Sequence, residues 1–270
     1  MAFYNDMSLG KYYPANSFIH NLDPRTKLTA VLMLMTGFLF SFHPILLLSF
    51  VLISGAIVVL AKIPPSLVFA NLKPFLWLFA ITMLIHVFWT QGSTLFTLPF
   101  LSMQITNEGI KFGILFSVRL ALMIIIAAVL TLSTSPIELT DALEKMLSPL
   151  KKLRIPVHDI VMMLTLALRF IPTLMEEMQR INNAQLSRGA NFSGGILSRL
   201  KNIVPLILPL FISSFRREDD LALAMDSRCY TGGQNRTSYK RLQFQIADYI
   251  TLGASLLFLG CTIWIRINWE

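Results

Sequence analysis

From residue 112 to residue 133 the chain runs for 22 positions with a single charged side chain, Arg119. A helix advances about 1.5 Å per residue, so such a run can cross a hydrocarbon layer about 30 Å thick. Other apolar runs cover residues 28–42, 45–61, 66–90 and 246–265. Hydrophobic residues make up 54% of the 270 and charged ones 14%, against about 25% charged in an ordinary soluble domain. A water-soluble fold of this length cannot hide that much apolar surface, so much of it must face lipid. The fold class is therefore an all-α integral membrane protein.

Three of the runs reach the roughly 20 residues that a span requires. The first two, at 15 and 17 residues, are short and separated by His43-Pro44. Proline disfavours helix at the residue before it, which suggests a tight helical hairpin. A single kinked, partly re-entrant element is the alternative. Lys and Arg set the orientation: Arg25 and Lys27 precede the first run and Lys62 follows the second. The His43-Pro44 turn and the 91–110 connection carry neither residue type. Basic residues collect on the cytosolic side. The expectation is five spans, with the N-terminus cytoplasmic and the C-terminus extracellular. The formal charge of +8 then reflects a membrane rather than nucleic acid. No apolar stretch preceded by positive charge opens the chain, so no cleavable signal peptide is expected.

The unusual feature is the 111 residues from 134 to 244, with 15 basic and 10 acidic side chains. The division expected is a membrane part over 1–133 with four spans, a cytoplasmic region over 134–244, and a last span over 245–270. Ser135-Pro136 is a good helix start, and residues 136–147 read as a short amphipathic helix. Lys151, Lys152 and Arg154 follow as a basic cluster suited to anionic headgroups. Two long amphipathic helices come next, about 157–187 and 197–227. Each is apolar first and charged later, with Pro172 in one and Pro205 and Pro209 in the other. A kink is expected at Pro172.

The two helices end alike. Ala184-Gln185-Leu186-Ser187-Arg188-Gly189 matches Ala224-Met225-Asp226-Ser227-Arg228-Cys229, and glycines follow both, in Ser193-Gly194-Gly195 and Thr231-Gly232-Gly233. An Arg in a last helical turn complements the helix dipole by about 0.3–1 kcal/mol. Two Ser-Arg-small endings on two similarly graded helices also suit docking, because guanidinium offers a planar fork of donors. Both readings stand at this point.

Motifs of chemistry are missing. The chain has no phosphate-cradling G-x-x-x-x-G-K-[ST] loop, no H-E-x-x-H and no G-x-S-x-G. Its four histidines are scattered, and Cys229 and Cys261 lie too far apart for a disulfide scaffold or a zinc cluster. Arg119 lies within a span and Lys73 near the inner end of another. Arg119 has two readings, bonding to carbonyls or a polar neighbour, and binding a substrate.

Several strings in the chain match one family. These are His20-Asn21-Leu22-Asp23-Pro24-Arg25-Thr26-Lys27, Ala167-Leu168-Arg169-Phe170-Ile171-Pro172-Thr173-Leu174, Asn183–Ala190 and Ala224–Arg228. End to end, the chain resembles the transmembrane T component of energy-coupling factor transporters, the family of the cobalt-transport protein CbiQ. The resemblance implies a scaffold with no catalytic residue and no cofactor of its own. Two cytosolic ABC-type ATPases would bind ATP and Mg. A small membrane-embedded S component would capture a vitamin or other micronutrient. Two long coupling helices would cross beneath the bacterial plasma membrane. The docking residues it implies are Ser187, Arg188 and Gly189 on the first helix, and Ser227, Arg228 and Cys229 on the second. Where the family usually has glycine this chain has Cys229, whose Cβ accepts a left-handed cap less readily. That opens a different ending for the second helix.

For the S component, the apolar halves of these helices offer a platform at Met162, Met163, Leu168, Met175, Met178, Ile207 and Phe211. Flexible Met side chains suit a surface that repacks. Ordinary helix–helix core is the equal alternative. Three rival functions stand beside it: a conventional ABC permease with its own translocation path, an intramembrane enzyme, and a membrane anchor without ATPases. The permease is the runner-up.

Overall fold

The computed structural model describes residues 12–40, 44–98, 103–189, 196–230, 232 and 242–269. The elements in chain order are α1 (Phe18–Asn21), α2 (Pro24–Phe40), α3 (Pro44–Ala61), α4 (Pro65–Leu72), a 3-10 turn (Lys73–Phe75) and α5 (Leu76–Trp89). A short hairpin follows, β1 (Thr94–Leu98) and β2 (Met103–Thr106). Then come α6 (Asn107–Ser133), α7 (Pro136–Leu147), a second 3-10 stretch (Ser148–Leu153), α8 (Val157–Ser187), α9 (Ile196–Asp226) and α10 (Ile246–Trp269). Helices α2, α3, α4 and α7 each begin on proline, whose fixed φ suits the first helical position and whose missing N–H is not needed there.

The chain forms two compact units, Met1–Ala142 with Leu242–Glu270, and Leu143–Arg241. In the first, α2, α3 and α6 bury Leu34, Phe38, Leu46, Phe50, Leu122 and Ile126, with Phe258 of α10 against them. Phe38 is fully buried. Its ring lies 4.2 Å from that of Phe50, which meets Phe258 edge-on at 5.2 Å. A second cluster joins Ala61, Ile63 and Val68 to Val129 and Leu132.

Helices α5 and α6 approach through glycine. A Cβ on Gly109 would lie 2.6 Å from the His86 carbonyl oxygen, and one on Gly113 would lie 3.4 Å from Met83 Cα. Gly109-x-x-x-Gly113 puts the two on one helix face, a small-residue stripe that lets backbones come close in lipid. The ring of His86 stacks on Phe116 at 4.5 Å just beyond. The sequence reading passed over this stripe.

Helices long and apolar enough to cross a membrane are found at Pro65–Trp89, Asn107–Ser133, Val157–Ser187 and Ile246–Asn268, with Leu46–Ala61 apolar but shorter. Three of these correspond to expected spans. Helix α8 meets the same measure, although its second half carries Glu176, Glu177 and Arg180. The expected hairpin of the first two runs is seen as two helices, α2 and α3, while His43 lies outside the described residues.

Some details differ from the sequence reading. The run 66–90 is broken by the 3-10 turn at Lys73–Phe75, where Pro74 donates no N–H. Helix α6 starts five residues early, since Thr106 caps it by accepting the Gly109 N–H at 3.1 Å. The 91–110 connection holds an antiparallel hairpin pairing Thr97 with Gln104 and Leu98 with Met103. The Ser135 start does form: Ser135 Oγ accepts the Glu138 N–H at 3.3 Å and Glu138 Oε2 accepts the Ser135 N–H at 3.4 Å, a reciprocal capping box.

In the second unit α8 and α9 pack on each other. Both continue through their internal prolines.

Candidate functional site

Two helix ends carry the residues singled out for docking. At the end of α8 the Arg188 N–H donates to the carbonyls of Ala184 and Gln185 at 3.2 and 3.1 Å, and the Gly189 N–H to Leu186 at 3.0 Å. Gly189 has φ +84°. At the end of α9 the Cys229 N–H donates to Asp226 at 2.9 Å and the Tyr230 N–H reaches back to Met225 at 3.1 Å. That pair of bonds is a Schellman ending, which needs a left-handed residue where Cys229 stands. Cys229 supplies it, at φ +57°. The different ending that its Cβ suggested is not found: the closing hydrogen bonds outweigh a strain of about 1–2 kcal/mol.

The two serines act locally. Ser187 Oγ donates to the Asn183 carbonyl and Ser227 Oγ to that of Ala224, each at 3.0 Å. Arg188 and Arg228 are exposed, and among the described residues neither forms an ion pair.

Helix direction sets how the two ends are arranged. Arg217 of α9 donates to Glu177 of α8 at 2.9 Å, and the Tyr230 hydroxyl donates to Met162 Sδ at 2.9 Å. Moving forward along one helix therefore moves backward along the other. The helices run antiparallel, so Arg188 and Arg228 mark opposite ends of the pair. Each helix has 31 residues, a length of about 46 Å at 1.5 Å per residue.

A family model described as cobalt transport protein, CbiQ, matches residues 15–239. The chain belongs to that family. It is similar to the energy-coupling factor transporter transmembrane protein EcfT of Acidaminococcus fermentans, 47% identical over 250 residues covering 91% of each chain. The protein of that name from Ruminiclostridium cellulolyticum is 44% identical over 261 residues, 96% of each. That from Bacillus subtilis is 40% identical over 263 residues, 94% of this chain and 98% of the relative. This chain is thus a transmembrane T component of the energy-coupling factor type, an integral membrane member of a transporter complex.

Within this family member, the residues read as a platform divide by exposure. Met163, Ile207 and Phe211 are open at 67%, 54% and 59%. Met162, Leu168, Met175 and Met178 are half-buried, and Met162 accepts the Tyr230 hydroxyl. On α9 the exposed face extends to Val204, Leu208, Ile212 and Phe215, which the sequence reading left out. Their three- and four-residue spacing around Ile207 and Phe211 was the available signal. Phe211 and Phe215 meet edge-on at 4.9 Å.

Arg119 is 5% exposed, with its guanidinium carbon 5.4 Å from the centre of the Phe116 ring. A cavity of about 340 Å³ in the first unit is lined by aliphatic and aromatic side chains, with Lys27, Ser133, Thr251 and Ser255 as its polar members. Such a lining suits hydrocarbon better than a polar solute. Among the described residues no group of three or more His, Cys, Asp or Glu comes together to hold a metal.

Proposed function

We propose that this T component is the coupling scaffold of an energy-coupling factor importer. Two cytosolic ABC-type ATPases grip it at Arg188 and Arg228, and bind the ATP and Mg themselves. A small membrane-embedded S component, which selects the vitamin or other micronutrient, rests on the open apolar faces of α8 and α9. Closure of the ATPases shifts the two helices against each other, and the S component turns toward the cytoplasm or leaves. The scaffold performs no catalysis. It lies in a bacterial plasma membrane with its N-terminus cytoplasmic and its C-terminus extracellular.

The observation that carries this reading is the pair of exposed arginines, each next to a left-handed residue that ends its helix, at opposite ends of an antiparallel helix pair. One motor at each end could drive such a pair symmetrically. A conventional permease would need a polar path of its own, and the cavity of the first unit is not one.

The test replaces Arg188 and Arg228 together with Glu, then measures ATPase co-purification and micronutrient uptake. Loss of both is expected, since a reversed charge in a groove built for guanidinium is repelled. Retained ATPases with normal uptake would remove the docking role.

A further inference from the structure

The string from His20 to Lys27 has no part in docking or in the platform, yet its main chain and side chains make long-range hydrogen bonds across the first unit. The Asp23 N–H donates to Asp248 Oδ1 at 2.9 Å. Lys27 Nζ donates to the carbonyls of Ser133 at 3.1 Å and His20 at 3.0 Å. The Tyr13 N–H donates to the Leu132 carbonyl at 2.9 Å. Arg25 is held by Asp23 at 2.9 Å and lies over the Phe244 ring at 4.3 Å. Asp23, Lys27, Ser133 and Asp248 are all buried.

Leu132 and Ser133 close α6, Phe244 lies two residues before α10, and Asp248 is in its first turn. These are the last residues before, and the first after, the stretch that carries α7, α8 and α9. Lys27 places its ammonium on the Ser133 carbonyl at the end of α6, and Asp248 is the acidic residue in the first turn of α10. Each charge complements the helix end it occupies. One turn of chain therefore holds both ends of the intervening stretch.

We infer that Asp23, Lys27 and Asp248 are positioning residues forming a fixed anchorage, which stops movement of α8 and α9 from being absorbed where the chain leaves α6 and joins α10. This inference rests on the coupling role proposed above. Without the anchorage the two ends slide, the ATPases still hydrolyse, and less of the stroke reaches transport.

The test uses the whole transporter complex in proteoliposomes, with Lys27→Met and, at the half-exposed rim, Phe244→Ala. Subunits should co-purify and ATP hydrolysis should hold near its normal rate. Uptake per ATP hydrolysed should fall about fivefold or more in Lys27→Met, the lower end of usual coupling strengths, and by a smaller factor in Phe244→Ala. If Lys27→Met does not fold, Phe244→Ala decides alone. In any variant whose subunits still co-purify, an unchanged ratio of uptake to hydrolysis overturns the inference. Failure of the docking reading would show differently, as ATPases still bound to the Arg188→Glu, Arg228→Glu chain.

Discussion

Gly189 and Cys229 adopt the same left-handed turn, at φ +84° and +57°, although only Cys229 has a Cβ. The strain on Cys229, about 1–2 kcal/mol, is carried by the hydrogen bonds that close α9. Cys229→Gly should relieve most of it, offset by the extra freedom of glycine in the unfolded chain, about 0.4–1 kcal/mol. Amide exchange at positions 229 and 230 should slow modestly. Faster exchange would show that Cys229 is held by something other than this ending. Gly189→Val should speed exchange at the end of α8, because a β-branched residue resists positive φ even where nothing lies within 4 Å of its Cβ.

Much of the architecture was legible because lipid demands continuous apolarity, and that shows in any one stretch of sequence. The bounds of α7 and α8, the Ser135 cap and the two Arg endings follow from signals within a few residues. The hairpin at 94–106 did not, since each strand is too short to show alternation against an apolar background. The contact of Asp23 with Asp248 spans 225 positions, and no local pattern announces a bond of that reach. Which face of α9 stays open depends on the direction in which α8 packs, and both helices are graded alike.

Gly109→Ala should be the most damaging alanine substitution among the described helical glycines of the first unit. Its Cβ would sit 2.6 Å from the His86 carbonyl and 2.7 Å from Thr106 Oγ1, so α5 and α6 must separate or the cap of α6 must break. Overpacking of this kind costs about 1–3 kcal/mol. Gly113→Ala, with its nearest neighbours at 3.4 Å, should be milder, and Gly55→Ala, with nothing within 4 Å, neutral or better. Thermal midpoints of the three variants in one detergent check the order. A Gly109→Ala midpoint equal to that of Gly55→Ala would show that α5 and α6 do not depend on this approach.

The Arg217–Glu177 pair fixes the direction of α8 against α9 but should add little stability. Its side chains are 40% and 23% exposed, and exposed pairs contribute about 0.2–1 kcal/mol. A double-mutant cycle with Glu177→Gln and Arg217→Met should return a coupling in that range, weaker at high salt. A coupling of several kcal/mol would mean that the pair is far less hydrated than its exposure indicates.

The pH dependence of the first unit should centre on His20. Tyr13 offers its carbonyl oxygen to His20 Nε2 at 3.0 Å, so Nε2 carries the proton and Nδ1 accepts from Ser17 Oγ at 2.7 Å. Burial disfavours the charged ring and Lys27 opposes it further, against the Tyr13 carbonyl and the more distant Glu138; the balance lowers the pKa from 6.5. The folded state then binds fewer protons than the unfolded one, and stability rises with pH between the two pKa values. The contribution is fully present above 6.5 and is lost progressively as pH falls toward the depressed folded value. His20→Gln keeps a donor for Tyr13 and cannot titrate, so its melting temperature should change less than the parent's over that acidic window. Equal slopes for parent and variant would mean that another group carries the dependence.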